Sequence, residues 1–282
     1  IDKPQPPPQP TQETPWGIDR IEADKAWTTS TGLTIKVAIL DTGIDLDHSD
    51  LSDNIKGNVN TINPLKSGND DNGHGTHVAG TVAAINNAIG VVGVGPEISL
   101  YAVKVLSKTG SGWLSDLIEG LDWCIKNKMQ AINMSLGSSS DNQSFHDAIY
   151  KTYQAGIIQV AAAGNNGETT GQITYPAKYP ETIAVSAVGQ NADGSLYFAN
   201  FSSYGPEIDL TAPGVNIKSI YNNGYYKSLS GTSMAAPHVS GVVALTLAVK
   251  GPMTPDNMKN YLKSRTENLG LPSVQQGAGL VS

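Results

Sequence analysis

Two kinds of hydrophobic pattern alternate along the chain. Continuous apolar runs at residues 34–40, 131–136 and 183–188 are typical of strands buried in the centre of a parallel sheet. Between such runs lie segments with a helical period, and in one of them five apolar residues share a face: Leu114, Leu117, Ile118, Leu121 and Ile125. This alternation predicts an α/β fold, with a doubly wound, mostly parallel sheet and helices on both of its faces.

The composition narrows the classes of protein that fit this fold. The chain has 282 residues, of which 39% are hydrophobic and 15% charged, so it can bury one large core. A net charge of −7 argues against nucleic acids and anionic membranes as partners. We also expect that no apolar stretch is long enough to span a bilayer. Cys124 is the only cysteine, which excludes an internal disulfide and favours a small packed side chain over a reactive thiol.

The N-terminal segment has a different character from the rest. Five of the first ten residues are proline, so residues 1–10 are expected to form an extended, polyproline-like arm. We therefore divide the chain into a Pro-rich N-terminal extension, residues 1–13, and one domain, residues 14–282, which no flexible or charged linker interrupts. No signal peptide begins at Ile1, so we expect that one was removed or never existed.

Residues 230–238, with the sequence SGTSMAAPH, predict a serine at the start of a helix. Small residues before Ser233 allow a sharp turn, and the apolar residues 239–249 supply the helix. Pro237 fits among the first helical residues, where its missing N–H would have had no intrahelical partner. Ser233 would then lie at the positive end of the helix dipole. A serine there is useful as a nucleophile if one group removes its proton and another receives the negative charge.

Two upstream segments offer the partners that such a serine needs. His74 is flanked by glycines at the start of a helix predicted to run to about residue 85, and it is the candidate base. Asp41 follows the apolar run 34–40 and would project from the carboxyl end of a central strand. Open α/β sheets place their sites at that edge. Each of these residues taken alone has a structural interpretation, such as a carboxylate that caps a turn.

Taken together, three motifs resemble those of the subtilisin family of serine proteases. Asp41-Thr42-Gly43, His74-Gly75-Thr76-His77 and residues 231–237 match the family's catalytic motifs in the same order. The intervals from Asp41 to His74 and from His74 to Ser233 are 33 and 159 residues, and the similarity extends over residues 14–281. The resemblance implies a secreted serine endopeptidase of broad specificity that acts on extended polypeptides as a monomer.

The resemblance also implies a role for each residue of the site. Asp41 would orient His74, and His74 would take the proton of Ser233 as that serine attacks a peptide carbonyl. The side chain of Asn165 and the backbone N–H of Ser233 would form the oxyanion hole. In the family an inhibitory propeptide assists folding, so the chain is expected to be a processed form. Residues 277–282 resemble the lead-in to the family's last segment, so we expect a trimmed C-terminus or a further region beyond it.

A structural calcium ion is a further implication of the resemblance. Its ligands would be six groups: Gln12, Asp50, the carbonyl of Ile85, Asn87, and the carbonyls of Ile89 and Val91. Oxygen donors of this mixed type suit a hard cation. An ordinary glycine-rich turn at residues 86–91 remains the alternative. A weaker cation site would use three carbonyls, those of Ala177, Tyr179 and Thr182.

Substrate recognition is expected to rely mostly on the peptide backbone. Two segments match those between which the family inserts a peptide as an added strand: Gly110, Ser111 and Gly112 on one side, and Ser135, Leu136 and Gly137 on the other. Main-chain pairing of this kind binds any extended peptide. Thr174 departs from the glycine that is common at the base of the family's main specificity pocket. We expect its side chain to disfavour large aromatic residues before the cleaved bond.

Two other functions were weighed against this prediction. The first is a protein that keeps the fold but works in binding or regulation, which the intact set of Asp41, His74, Ser233 and Asn165 opposes. The second is a dinucleotide-binding protein, suggested by a strand that ends in Asp41-Thr42-Gly43. No Gly-x-Gly-x-x-Gly turn follows that strand, so the second function is not supported.

Overall fold

A computed structural model of the protein describes residues 8–282, in which ten strands are found. Their bounds are β1 Lys36–Asp41, β2 Ile55–Asn60, β3 Ser99–Lys104, β4 Ala131–Met134, β5 Ile158–Ala162, β6 Ile183–Gln190, β7 Leu196–Phe198, β8 Leu210–Pro213, β9 Ile217–Tyr221 and β10 Tyr225–Leu229. Eight of them form one sheet in the order β2-β3-β1-β4-β5-β6-β7, with β8 also paired to β6. Every pair in this sheet is parallel except β6 with β7. Strands β9 and β10 form a separate antiparallel hairpin.

Helices cover both faces of the sheet. Their bounds are α1 Trp16–Arg20, α2 Ala23–Ala26, α3 His74–Ala83, α4 Leu114–Lys126, α5 Gln143–Gln154, α6 Thr232–Lys250, α7 Pro255–Lys263 and α8 Ser273–Gln276, and two 3₁₀ turns span Ser52–Asn54 and Asn222–Gly224. Helices α3 and α6 pack together on one face, and α4 and α5 pack together on the other. The predicted doubly wound α/β fold is confirmed.

Strand β1 is covered on both faces of the sheet, which explains its continuous apolar run. Val37 and Ile39 point into the core beneath α3 and α6, whereas Ala38 and Leu40 point into the core beneath α4 and α5. All four side chains are at most 1% exposed. Successive side chains of a strand face opposite sides of the sheet, so a strand covered on both faces needs apolar residues at every position.

The expectation that no stretch could span a bilayer is wrong for α6. This helix has 19 residues and is apolar enough to cross a membrane by length and composition alone. Its apolar window is 83% buried inside the protein, where it packs against β4, β5, β6 and β8. A helix that the core surrounds over most of its surface is hydrophobic nearly all round for the same reason that a membrane helix is.

The expected place of Pro237 in α6 is also wrong. The helix begins at Thr232, so Pro237 is its sixth residue and lies beyond the first turn. An N–H at this position would normally bond to the carbonyl of Ser233, four residues earlier. Proline leaves that carbonyl free, and the hydroxyl of Ser135 donates to it at 2.8 Å. The proline therefore makes room for a side-chain contact that ties β4 to the start of α6.

The described end of the N-terminal extension lies against the loop that follows α3. The N–H of Gly90 donates to the carbonyl of Pro10 at 2.8 Å, and the N–H of Glu13 donates to Gly90 at 2.9 Å. Thr11 also bridges Ile89 in an antiparallel sense. Residues 1–7 of the predicted extension lie outside the described residues.

Candidate active site

The predicted site residues meet at the carboxyl edge of the sheet. Asp41 is the last residue of β1, Ser135 directly follows β4, and Asn165 follows β5 after a two-residue turn. Strands β1 and β4 are neighbours, and the chain leaves β1 toward β2 at one side of the sheet but leaves β4 toward β5 at the other. A crevice opens at such a switch point, and it is the usual place for a site in this class of fold.

Asp41 and His74 are in direct contact. The Nδ1 of His74 lies 2.7 Å from Oδ1 of Asp41, whose carboxylate is fully buried, whereas the imidazole is 29% exposed. A carboxylate can only accept, so Nδ1 carries the hydrogen, and Nε2 of the neutral ring is left as an acceptor. Burial opposes a charge on His74, but the charge and hydrogen bond of Asp41, with a smaller contribution from Asp70, outweigh it and raise the histidine pKa above its ordinary value.

The start of α3 lies so close to the end of β1 that only glycine fits at position 75. A Cβ there would collide with the carbonyl oxygen of Gly43 and lie 3.0 Å from Cβ of Asp41. The glycine that follows His74 therefore permits the close approach that brings the imidazole to the carboxylate.

Two charged residues beside this pair were missed by the sequence analysis. Asp70 is buried and bonds to both segments that carry the pair. Lys104 is also buried, at the end of β3, and its ammonium bonds to the carbonyls of Thr42 and Leu106 and to the carboxylate of Asp71. Asp70 and Asp71 come four and three residues before His74, so a pair of acids near the candidate base was the available signal. Nothing in the sequence showed which of the two faces inward.

Ser233 is the second residue of α6 and is partly buried. Its hydroxyl donates to the carbonyl of Ser135 at 3.3 Å. Among the described residues, no hydrogen bond joins this hydroxyl to His74. Two contacts in opposite directions, one through each hydroxyl, thus fix the start of α6 against the end of β4.

The side chain of Asn165 is exposed and held in one orientation. Its Oδ1 accepts from the N–H of Thr232 at 2.9 Å and from the hydroxyl of Thr232 at 3.0 Å. Because a backbone N–H can only donate, the atom that faces Thr232 must be the amide oxygen. The amide nitrogen therefore points away from Thr232, and within the described residues it donates to no protein acceptor. It is available to a ligand beside Ser233.

A cleft of about 710 Å³ runs along this edge, and the two predicted substrate segments line it together. Gly110, Ser111 and Gly112 form one part of the lining and Ser135, Leu136 and Gly137 another, and His74 also reaches it. The rest of the lining mixes apolar side chains, from α4, α5, Leu106 and Tyr175, with polar ones such as Thr42, Asn72 and Ser138.

Thr174 lines a smaller cavity of about 180 Å³ that opens beside Ser233 and Asn165. Leu136 and Gly137 line both cavities. The threonine side chain lies between two glycines, since a Cβ on Gly137 would collide with its Oγ1 and a Cβ on Gly164 would lie 2.9 Å from its Cγ2. Its hydroxyl bonds to the carbonyl of Ala163 at 3.3 Å. The side chain thus occupies the space between the two walls of the cavity.

Comparison with known proteins decides the family. A model described as the subtilase family, peptidase S8, matches residues 32–280. The chain belongs to the subtilase family. It is 45% identical to subtilisin DY of Bacillus licheniformis over 274 residues, which cover 96% of this chain and 97% of that protein. It is 45% identical to subtilisin Savinase of Lederbergia lenta over 272 residues, 96% of this chain and 97% of that protein.

A third relative of this subtilase is a thermostable alkaline protease of Halalkalibacterium halodurans. The identity is 47% over 272 residues, which cover 96% of this chain and 73% of that protein. The predicted resemblance is confirmed, and the chain is a serine endopeptidase of the subtilisin type.

The groups predicted to bind calcium in this subtilase converge below the loop after α3. Gln12 reaches into the loop and its Nε2 donates to the carbonyl of Ile85 at 2.9 Å and lies 3.5 Å from that of Val91. The Asp50 carboxylate accepts from Nδ2 of Asn87 and from the N–H of Val91, both at 2.9 Å. Burial raises the pKa of Asp50 to about 6, although these hydrogen bonds oppose the shift.

This set of groups fits a hard cation. Among the described residues no cationic side chain pairs with the buried Asp50 carboxylate, which contacts the amide of Asn87. The amide of Gln12 contacts two carbonyls of the same loop. Such oxygens are the donors that Ca²⁺ prefers. The Asn87 oxygen accepts from the N–H of Ile89 at 2.7 Å, so it would have to turn toward the ion. At the second predicted site, the Tyr179 carbonyl already accepts two bonds from Thr182, near Ala177.

The remaining histidines and the cysteine of this subtilase lie away from the cleft lining. His77 and His238 are buried on α3 and α6, and burial lowers the pKa of each to about 4. Cys124 is fully buried on α4, and burial raises the pKa of its thiol. The thiol therefore stays protonated, which agrees with a packed side chain and not with a reactive one.

Proposed function

We propose that this subtilase hydrolyses peptide bonds with Ser233 as nucleophile, His74 as general base and acid, and Asp41 as the group that orients and stabilises the imidazole. The observation that carries the proposal is the 2.7 Å contact of Asp41 with His74 at the wall of a long cleft. The oriented amide of Asn165 beside Ser233 supports it.

Acylation begins when the Ser233 hydroxyl turns from the Ser135 carbonyl toward Nε2 of His74. As Oγ forms a bond to the peptide carbonyl carbon, its proton passes to Nε2, and the imidazolium is stabilised by the Asp41 carboxylate. Looser contacts before substrate binding are usual for groups of this kind. Collapse of the tetrahedral intermediate breaks the C–N bond, and His74 returns the proton to the departing amine.

The negative charge on the tetrahedral oxygen needs donors that are already aligned. The amide nitrogen of Asn165 and the N–H of Ser233, at the first turn of α6, would supply them. Removal of one such donor costs about 10²–10³ in kcat, a magnitude measured on the equivalent asparagine of subtilisin. A water then attacks the acyl group by the same route and releases the acid.

An extended peptide would bind between the two segments that line the cleft. Gly110, Ser111 and Gly112 are exposed and carry no large side chain, so a peptide backbone can approach them closely. Pairing to main-chain groups on both sides gives affinity without regard to sequence, and broad specificity follows. The cavity beside Thr174 would receive the side chain that precedes the cleaved bond.

A bound Ca²⁺ would be structural in this scheme. Gln12, Asp50, Asn87 and the carbonyls of Ile85, Ile89 and Val91 would hold it, and the ion would neutralise the buried carboxylate. It would tie the N-terminal segment to the loop after α3, at a distance from the reacting atoms. A second, weaker cation site would use the carbonyls of Ala177, Tyr179 and Thr182, and the ion would compete with the bond that the Tyr179 carbonyl already accepts.

The likeness to bacterial subtilisins and alkaline proteases supports three further proposals. The protein is exported, it acts outside the cell as a monomer, and its own propeptide inhibits it and assists its folding. Polypeptides are its substrates, as the names of the proteases among its relatives suggest.

Active-site labelling tests the function. A fluorophosphonate should label the wild-type protein at Ser233, and the wild type should hydrolyse casein into many fragments. Ser233→Ala should lose both the label and the hydrolysis, whereas Ser230→Ala, an exposed serine three residues earlier, should keep both. A wild type that binds casein without cutting it would favour a binding protein that has kept the fold.

A further inference from the structure

Asp70 is only 5% exposed, and its carboxylate accepts several hydrogen bonds. Its Oδ1 accepts from the hydroxyl of Thr42 at 2.9 Å and from the N–H groups of Asn72 at 2.9 Å and Gly73 at 3.0 Å. Its Oδ2 accepts from the N–H of Thr76 at 3.0 Å and from the hydroxyl of the same residue at 2.6 Å. Five donors therefore surround one buried carboxylate, which is the usual compensation for an ion removed from water.

These donors come from the two chain segments that carry Asp41 and His74. Thr42 directly follows Asp41, and its N–H donates to Oδ1 of Asp41 at 2.7 Å. The hydroxyl of Thr42 donates to Asp70 and accepts from the N–H of Gly75 at 2.9 Å. Hydrogen bonds thus connect the Asp41 carboxylate through Thr42 to the first turn of α3. Asp70 bonds both to Thr42 and to that turn.

We propose that Asp70 is a positioning residue, which fixes the distance between Asp41 and His74 through Thr42 and adds a second negative charge beside the imidazole. The proposal rests on the proposed hydrolytic function. Asp70 lies outside the lining of both cavities, so it acts through the other two residues and not on the substrate. Distance errors of about 1 Å between reacting groups can cost about a hundredfold in rate.

The charged groups around the imidazole explain the electrostatic part of this role. Asp41 contacts His74 directly, and the charge of Asp70 acts on it without contact. His77, one turn along α3, is buried and neutral at ordinary pH, so its charge does not oppose theirs. Lys104 faces the Thr42 carbonyl from β3, and its charge is paired with Asp71. Two carboxylates therefore favour the protonated base that forms during catalysis.

The neighbouring residue provides a matched control. Asp71 carries the same charge in the same loop, but its side chain is 55% exposed and bonds to Lys104 instead of to α3. Asp70→Asn keeps the size of the side chain and removes the charge, and Asp71→Asn makes the same change at the exposed position. Thr42→Val removes the hydroxyl that links Asp41 to Asp70 and keeps both charges, and Thr42→Ser restores that hydroxyl.

The experiment measures kcat/KM and kcat from pH 5 to 9 on a peptide substrate, together with the unfolding midpoint of each variant. In Asp70→Asn, the pH at half-maximal kcat/KM should fall by about 0.5 unit or more, and the fall in Asp71→Asn should be less than half as large. In Thr42→Val, kcat should fall about tenfold or more with little change in that pH, and Thr42→Ser should recover most of it.

The outcomes separate this inference from the proposed function. If the wild type itself does not hydrolyse peptides, the proposed function is wrong. If the wild type is active and Asp70→Asn loses only thermal stability, with its pH profile unmoved, Asp70 is merely structural and the inference is wrong. If Asp70→Asn does not fold, the Thr42 pair decides: equal kcat for Thr42→Val and wild type overturns the positioning role.

Discussion

His74 gives the most direct prediction at the scale of single residues. Only the neutral imidazole can take the proton of Ser233, so kcat/KM should rise with pH as His74 loses its proton. The Asp41 and Asp70 carboxylates raise the histidine pKa despite its burial. We therefore expect the midpoint of this rise to lie above the ordinary histidine value. A rate that stays flat from pH 5 to 9, with chemistry limiting, would exclude His74 as the base.

Thr174 gives a prediction about selectivity. Its side chain lies between Gly137 and Gly164 in the small cavity, where an aromatic ring would otherwise lie. Filling such a space costs about 1–3 kcal/mol, or roughly fivefold to 150-fold in kcat/KM. Tetrapeptides that end in Leu, Met or Ala should therefore be cut faster than those that end in Phe or Tyr, and Thr174→Gly should restore the large aromatics.

Ser138 offers a matched control for that test, because it lines the long cleft but not the small cavity. Ser138→Gly should leave the ranking of Phe and Ala substrates unchanged. If wild type and Thr174→Gly rank these substrates identically, the small cavity does not receive the residue before the cleaved bond.

At the scale of elements, the sequence predicted those strands and helices whose burial leaves a regular pattern of apolar residues. Strand β1 was found because its apolar run is unbroken, and helix α4 because its apolar positions recur with a helical period. The place of Pro237 within α6 was wrong because Ser135, about a hundred residues away, supplies the bond that makes a proline tolerable in the sixth position. Asp70 was overlooked as a partner of Thr42 for the same reason, since contacts between distant segments leave no local pattern.

Helices α3 and α6 give a prediction through their buried histidines. The Nε2 of His77 lies 2.9 Å and 3.0 Å from two carbonyl oxygens, and Nδ1 of His238 lies 2.8 Å from a third, so these nitrogens carry the hydrogens. The other nitrogen of each ring is buried and has no partner among the described residues. A second proton would have no acceptor, which is why burial lowers each pKa to about 4.

This lowered pKa has a definite sign for stability. The unfolded chain binds these protons at about pH 6.5 and the folded chain only near 4, so the unfolding free energy is highest above 6.5 and falls as the pH drops toward 4. With Ser233→Ala as background, His238→Asn should reduce the slope of that fall by up to about 1.4 kcal/mol per pH unit. An unchanged slope in urea unfolding between pH 6.5 and 4.5 would contradict the assignment.

Calcium belongs to the scale of the whole molecule, because its proposed ligands come from three distant parts of the chain. Gln12 lies in the N-terminal segment, Asp50 precedes a 3₁₀ turn, and Asn87 lies in the loop after α3. An ion that binds only the folded state stabilises it by mass action, by roughly 2.7 kcal/mol at a hundredfold excess over Kd. Excess EDTA should therefore lower the unfolding midpoint of Ser233→Ala, in which self-digestion plays no part.

Asp50→Asn identifies the site behind that response. Ionised Asp50 costs stability when no ion neutralises it, since burial raises its pKa to about 6 from the model-peptide value of 3.8. In EDTA, Ser233→Ala with Asp50→Asn added should therefore unfold at or above the midpoint of Ser233→Ala alone, the parent. Added calcium should no longer raise the midpoint of the Asp50→Asn variant. Glu13→Gln alters a nearby carboxylate that pairs with Lys218, and it should keep the full response. If calcium and EDTA give the same midpoint in the parent, or if Asp50→Asn responds as the parent does, the ion does not bind at Asp50.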